Sequence, residues 1–335
     1  MSDFALVTFA QPNEMAAAEP NLFRRVLAAL KKPRYEFKNE RVELYRNVSA
    51  YIIKLPFSMD KLPSLNMTGI SKAIAGLCKK NAVAGCFLPR GLDKVLKVDG
   101  CSNGGAYGRL LYRSLILDTI YEIYSAKNIE ISELDIAIVQ GARREELYSV
   151  IRLLSPMVKY ITVITDDKGK IEDEINRFYI DFGISIGVTT DYKGGLRNAD
   201  LIINLGDSKE HIFNPVINPK ALVLNFGNLN VNKLLSENPL INGIEVSVPE
   251  RILAKLGREV HQHYDIRELS EIVLFHRFYN GDSSVNAFNY RLAKKVSEEF
   301  KKDGCNISGF VGRRRVLKID DIPVYTGKER KKKGL

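Results

Sequence analysis

The sequence predicts an α/β protein: a doubly wound, mostly parallel Rossmann-like sheet with an N-terminal α/β domain before it and C-terminal helices after it. Three observations lead there. The 335 residues exceed the usual size of one hydrophobic core, which points to more than one domain. Apolar runs of strand length recur from Asp135 to Val248 with helical patterns among them, as crossover connections in a parallel sheet require. Hydrophobic residues make up 45% of the chain and charged residues 27%, enough apolar material to offset chain entropy, so wholesale disorder is excluded.

The chain opens on a strand-like run, Phe4–Phe9. A helix follows over Asn21–Leu30, with Leu22, Val26 and Leu30 at helical spacing, Asn21 as N-cap and Pro33 beyond its end. Val48–Leu55 is the next strand, stopped by Pro56; a helix over about Ser71–Lys80 and a run at Ala82–Leu88, closed by Pro89, complete the N-terminal layer. Gly100–Gly108 is the most glycine-dense stretch and feeds an apolar helix carrying Leu111, Leu115, Ile116, Ile120 and Ile123. The rhythm then becomes regular, with strands at Asp135–Val139, Tyr160–Thr165, Ile184–Val188, Leu201–Asn204, Ala221–Asn225 and Ile244–Val248, and helices at Glu145–Leu154 and Ile171–Phe182. Helical patterns return at Ile252–Leu256, Leu269–Phe278 and Ala287–Phe300. The predicted organisation is an N-terminal α/β domain over 1–108, a connecting helix over 109–132, a Rossmann-like domain over 133–250, C-terminal helices over 251–300 and a basic tail over 301–335.

No apolar run approaches the roughly 18 residues of a membrane-spanning helix, and Met1–Ala10 lacks the basic-then-apolar layout of a signal peptide, so a cytoplasmic protein is expected. Cys78, Cys86, Cys101 and Cys305 form no Cys-x-x-Cys pair; reduced thiols fit better than a zinc ribbon or a disulfide scaffold. Of the net charge of +10, residues 301–335 supply +7, from eleven Lys/Arg and four Asp/Glu. Arg313-Arg314-Arg315 and the basic run Lys328–Lys333 offer nucleic acid or an anionic surface a partner, although a solvated terminus is the plainer reading.

In doubly wound sheets ligands bind beyond the carboxyl ends of the strands. The candidate cofactor-binding residues are therefore Gly141, Arg143, Arg144, Asp166, Asp167, Asn204, Gly206, Asn225 and Gly227, which follow or end the predicted strands. Asp166 lies 25 residues after Gly141, where a dinucleotide site places the carboxylate that holds ribose hydroxyls; that spacing favours NAD or NADP. The first turn opposes it. No glycine follows Gly141 there, and Glu145 and Glu146 occupy the first helical turn, where carboxylates complement the helix dipole and repel a phosphate. Arg143 and Arg144 are either a cationic phosphate clamp or partners of those glutamates. Asp166-Asp167 also reads as a plain turn before Lys168-Gly169.

Other constellations point less far. Gly100–Gly108 is an anion cradle or, more simply, a hinge. His261 and His263 alternate, so on a helix they face apart; surface histidines are expected and no metal site is predicted. No His lies near Cys78 or Cys101 in sequence, so buried or incidental thiols are expected, and no catalytic residue is assigned.

The order of these elements resembles two-domain oxidoreductases of the shikimate dehydrogenase and glutamyl-tRNA reductase type. It is most similar to long-chain acyl-[acyl-carrier-protein] reductases over about residues 1–280, through Phe4–Phe9, Tyr51–Pro56, Ser71–Phe87, Asn103-Gly104, Asp135–Gly141 and Ala221–Gly227. The resemblance implies a Rossmann fold and a nicotinamide dinucleotide. The departures fall on the chemistry. Where that family has Gly-Ala-Thr-Gly-x-Ile-Gly, this chain has Gly141-Ala142-Arg143-Arg144-Glu145-Glu146-Leu147. Where the family carries its acylated cysteine, in an Arg-x-Leu-x-x-Cys pattern, Arg267-Glu-Leu-Ser-Glu-Ile272 ends in an isoleucine that cannot be acylated.

The expected function is therefore that of a Rossmann-like protein related to NAD(P)-dependent oxidoreductases, with altered or lost dinucleotide binding and a small-molecule-binding or regulatory role. The alternative is an active NAD(P)-dependent reductase with a phosphate clamp at Arg143 and Arg144. A third reading is nucleic-acid or anionic-surface binding through the tail.

Overall fold

The computed structural model describes residues 3–9, 37–58, 66–89, 92, 95–98, 107–206, 218, 220–227, 238–279, 288–313 and 315–324. The helix predicted over Asn21–Leu30, nearly all of the Gly100–Gly108 loop and the basic run Lys328–Lys333 lie outside them. The chain forms two compact units, Met1–Tyr107 with Ser247–Val285, and Gly108–Val246 with Asn286–Leu335.

In chain order the strands and helices begin with β1 (Phe4–Phe9), β2 (Lys38–Tyr45), β3 (Val48–Leu55), α1 (Met67–Lys80) and β4 (Gly85–Phe87). They form a four-stranded sheet in the order β2-β3-β1-β4, with β1 parallel to β3 and β4 and β2 antiparallel to β3. β2 has no counterpart among the predicted elements. Its sequence, KNERVELY, is mostly exposed, so no apolar run marks it, and its charges blunt the sheet edge it forms. α1 starts four residues before the predicted Ser71, and Asn66 caps it by accepting from the Gly69 amide.

The second unit opens with α2 (Tyr107–Ser114) and α3 (Ile116–Ser125), so the predicted continuous helix breaks at Leu115. Then come β5 (Ile136–Val139), α4 (Arg144–Leu154), β6 (Tyr160–Ile164), α5 (Glu172–Phe182), β7 (Ser185–Thr189), α6 (Tyr192–Arg197), β8 (Leu201–Asn204), β9 (Leu222–Asn225) and β10 (Leu240–Ile241). These six strands are all parallel and lie in the order β10-β9-β8-β5-β6-β7. Numbered within the sheet, that is the 3-2-1-4-5-6 order of the doubly wound Rossmann fold, whose direction reverses between β5 and β8. β5, β8 and β9 are buried on both faces, which is why they read as uninterrupted apolar runs. Gly183, with φ +66°, ends α5 in the left-handed conformation and releases the chain into β7.

The sixth strand is a correction. Ile244–Val248 was expected there, but the two-residue β10 takes the place; β11 (Gly243–Ser247) instead joins a separate three-stranded sheet. Helices α7 (Glu250–Leu253), α8 (Gly257–His263) and α9 (Ile266–Tyr279) follow in the first unit, and α10 (Tyr290–Lys302) in the second. The stretch 301–335 is not simply a tail. β12 (Asn306–Val311) and β13 (Val316–Leu317) form an antiparallel hairpin beside β11, and the Arg313 guanidinium donates to the Asn238 carbonyl.

Within the first unit the core closes over β1. The Tyr264 hydroxyl accepts from the Val7 amide at 3.0 Å and lies within 2.9 Å of the Val7 and Phe87 carbonyls, serving as a ladder partner where β4 ends. The surface histidines are a further correction. His263 is half-buried edge-on against Phe9, and burial lowers its pKa, while His261 contacts the Leu253 carbonyl through Nε2. His276, on α9, is fully buried, stacked on Phe4 at 4.6 Å and edge-on to Phe87. Burial pushes its pKa down from 6.5 to about 3.

That shift carries a sign. Above pH 6.5 the imidazole is neutral in both folded and unfolded chains, and its contribution to stability is fully present. As the pH falls toward 3, the unfolded chain takes up a proton that the folded one excludes, and stability drops by about 1.4 kcal/mol per pH unit. Urea unfolding between pH 7 and pH 5 should therefore cost the native chain about 2 kcal/mol more than it costs His276→Leu. Equal slopes would show that the folded state admits the proton.

Candidate functional site

The switch point lies at the carboxyl ends of β5 and β8, and there the chain packs against itself. An ideal Cβ on Gly141 would fall 2.3 Å from the Leu205 carbonyl oxygen; one on Gly206 would fall 2.8 Å from the Gln140 oxygen, and one on Gly227 2.0 Å from the Gly206 oxygen. These three predicted cofactor-binding glycines are brought together, but each gives room to a neighbouring backbone. Glycine is needed here because the loops after β5, β8 and β9 touch main chain to main chain.

Asn204 and Asn225 are also brought together and also turned inward. They are cross-strand partners at the ends of β8 and β9, and the Asn204 Nδ2 donates to the Asn225 Oδ1 at 2.8 Å. Asn225 passes the chain on to the Asn242 Oδ1 at 2.9 Å, while the Asn204 Oδ1 accepts the Gly206 amide. The result is an amide ladder across the ends of three strands. Asn242 was missed in the sequence because only the two-residue β10 announces it.

The start of α4 is occupied by an internal ion pair. Glu146 is buried in the first turn, and its Oε1 lies 3.1 Å from Arg113 Nη1 and 3.9 Å from Arg143 Nη1. Arg113, on α2, also donates through Nη2 to the Phe226 carbonyl at 2.9 Å, just after β9. Tyr112 fixes the same helix: its ring stacks on Phe226 at 4.2 Å, its hydroxyl donates to the Ile241 carbonyl, and burial raises its pKa. Glu146 is thus an internal anion in the first turn of α4, where a carboxylate complements the helix dipole, and its partners are the two guanidiniums, with no side chain capping the N-terminal amides. Arg113 lies 33 residues before Glu146, and no sequence signal links them.

The remaining candidates gather on an exposed rim at the end of β6. Arg144 donates to the Lys170 carbonyl at 3.2 Å. Asp167 pairs with Lys170, whose hydrogen bond lowers the carboxyl pKa, and its amide donates to Thr165 Oγ1 in a turn. Asp166 accepts from the Tyr192 hydroxyl at 2.9 Å; burial and then this contact push the tyrosine up to about 12. Tyr192, on α6, was not foreseen. Arg143 turns to Glu146 while Arg144 turns to Lys170, so the two arginines do not form one clamp.

A ribosyl diphosphate in the customary seat needs open glycine amides and no competing carboxylate. The packed glycines and buried Glu146 do not fit that group. The edge does retain a buried acceptor: Gln140 Oε1, directly after β5, has no hydrogen-bond partner among the described residues. Among those residues no cluster of His, Cys, Asp and Glu is arranged to hold a metal, and no helix is long and apolar enough to cross a membrane.

Against known proteins, no family model and no curated protein matches the chain. Solved structures similar to it include a dipicolinate synthase from Bacillus halodurans, with 11% identity over 82% of this chain and 96% of that one, at a TM-score of 0.35. Shikimate 5-dehydrogenase from Listeria monocytogenes, in complex with shikimate and NAD, matches with 9% identity over 82% and 96% of the two chains, at 0.28. Δ1-pyrroline-2-carboxylate reductase from Thermococcus litoralis, in complex with NADH and L-proline, has 12% identity over 38% of this chain, at 0.26; only 40% of its own length is spanned. Likenesses this slight say nothing of chemistry.

Two substitutions probe the packing. Gly141→Ala should lower unfolding stability by about 2 to 3 kcal/mol, because the obstructing atom is backbone; a loss below about 0.5 kcal/mol would mean that the loops are loose. Arg113→Met, which leaves Glu146 buried with only the more distant Arg143, should cost about 3 kcal/mol, and the double variant with Glu146→Leu should recover most of it. Additive losses in urea unfolding would show that the two side chains are not coupled.

Proposed function

We propose that this chain is a Rossmann-like ligand-binding or regulatory protein, related to NAD(P)-dependent oxidoreductases, in which ordinary dinucleotide binding has been lost or altered. One observation carries the reading: Glu146, buried and paired with Arg113, puts a carboxylate in the first turn of the helix at whose start a diphosphate would be held. The close glycine contacts and the mutual use of Asn204 and Asn225 support it. The buried Gln140 acceptor supports a role in binding a ligand that brings a donor, since a buried oxygen left unmet costs about 1 to 3 kcal/mol. Titration calorimetry of the full chain with NADH and with NADPH should show no binding at micromolar concentrations. Micromolar affinity for either cofactor would overturn the proposal.

A second reading keeps the cofactor and rests on the rim. Asp166 follows β6 at the position where a ribose carboxylate stands, and Arg144 is exposed close by. On this reading Arg144→Ala weakens cofactor binding by about 1 to 3 kcal/mol, as a lost charged hydrogen bond should. Unchanged affinity in the same calorimetric titration would remove Arg144 from any such site.

A further inference from the structure

The first unit carries a groove of about 800 Å³ between one face of β2 and β3 and the segment that leads from Leu256 into α8. The strand side follows from the register. Lys38 stands directly opposite Lys54, and Glu40 opposite Ile52, so alternation puts these four side chains on the same face of the antiparallel pair. Ile52 and Leu256 are buried and supply the apolar part of the lining, while Arg258 and Glu259 belong to the α8 side.

Three cations, Lys38, Lys54 and Arg258, thus share one concave surface with two carboxylates, Glu40 and Glu259. Like charges directly opposite across a strand pair repel, so Lys38 and Lys54 call for an anion near them. Glu259 meets half of that demand. Its Oε1 lies 2.7 Å from the Lys54 Nζ, on a lysine side chain only 15% exposed. Nearby cations are also engaged by the chain: Arg41, on the opposite face of β2, pairs with Asp3, and Lys255 donates to the Glu43 and Leu44 carbonyls. The side chains of Lys38 and Arg258 have neither an ion pair nor a hydrogen bond among the described residues, and both are exposed to the groove. A recess with low-dielectric walls focuses the field of such charges on the space between them.

We propose that this groove binds a small molecule by a phosphate or carboxylate group, held by Lys38 on the strand side and Arg258 on the helix side. Either group offers the paired oxygens that a guanidinium fork recognises. Glu40 defines the other end of the ligand. It lies one same-face step along β2 from Lys38, about 7 Å, where its carboxylate excludes a second negative group and accepts from a hydroxyl or an amine. The fitting ligand is therefore short, with one oxyanion at one end and a donor at the other. The groove has the volume of ordinary small-molecule sites. Every residue invoked belongs to the first unit, so the assignment does not depend on whether a dinucleotide binds beside Glu146.

Titration calorimetry of the full chain with inorganic phosphate, glycerol 3-phosphate and 4-hydroxybutyrate tests this, together with acetic anhydride labelling of lysines read by mass spectrometry. Glycerol 3-phosphate or 4-hydroxybutyrate should bind and slow the labelling of Lys38, while that of the exposed Lys72 on α1 stays unchanged. Whichever of the two binds more tightly identifies the group as phosphate or carboxylate. Lys38→Ala and Arg258→Ala, which remove exposed side chains and should leave the thermal melt unchanged, should each weaken that binding about tenfold or more, as a lost charged hydrogen bond does. The proposal is overturned if none of the three probes binds with a Kd below about 10 mM. Binding that both substitutions leave intact would overturn it as well, by placing the site elsewhere, and so would binding of inorganic phosphate alone, which would mark an adventitious ion only.

Discussion

The carboxyl edge of the six-stranded sheet depends on where one guanidinium goes. Arg113 holds the Glu146 carboxylate and the Phe226 carbonyl at once, and so ties α2, the start of α4 and the loop after β9 to one point. A carboxylate as buried as Glu146 is costly unless it is paired and hydrogen-bonded. Because its partner is a rigid fork that also satisfies a backbone oxygen, the pair is worth more for geometry than for net stability. It places an internal anion in the first turn of α4, beside loops that already meet backbone to backbone at Gly141, Gly206 and Gly227.

The asparagine ladder shows the same economy of polar groups. At the ends of parallel strands, the carboxamides of Asn204 and Asn225 either meet a ligand or meet each other, because each has donors and acceptors that cannot stay buried unmet. Here the cross-strand register places them 2.8 Å apart, and Asn242 receives the next bond. An amide chain of this kind is locally rigid, since rotating one residue would strand its neighbours. Ligand recognition in the switch-point crevice would have to break that chain first, a cost added to the separation of Arg113 and Glu146.

How much of this was legible in the sequence follows from which forces act locally. β5, β8 and β9 were readable because strands buried on both faces must be apolar throughout. β2 was not, since an antiparallel edge strand can be almost wholly polar, and β10 was not, since two residues make no pattern. Ile244–Val248 misled for the complementary reason: its residues do form a strand, but alternation cannot say in which sheet. At the site, the missing glycines after Gly141 and the two acids were visible, and their position in a first helical turn was correctly inferred. The destination of Glu146 was not, because Arg113 approaches from a helix 33 residues away. The three glycines looked like room for a ligand; only their spacing in three dimensions reveals that they make room for one another.

The two halves of the edge therefore differ in what they are able to do. Around Gly141 and Glu146, every displacement meets backbone or uncovers a buried charge, and movement is expensive. On the rim beyond β6, the contacts of Arg144, Asp167 and Lys170 are solvent-exposed, and water and salt screen such pairs. Those side chains can exchange their present partners for an incoming polar group at little cost. Tyr192 marks where the rim stiffens: its hydroxyl remains protonated well past neutral pH and keeps donating to Asp166, so an arriving hydroxyl must outcompete a partner already in place. The rim thus holds partners that solvent already contests, while the crevice behind it is closed by backbone contacts and a buried ion pair.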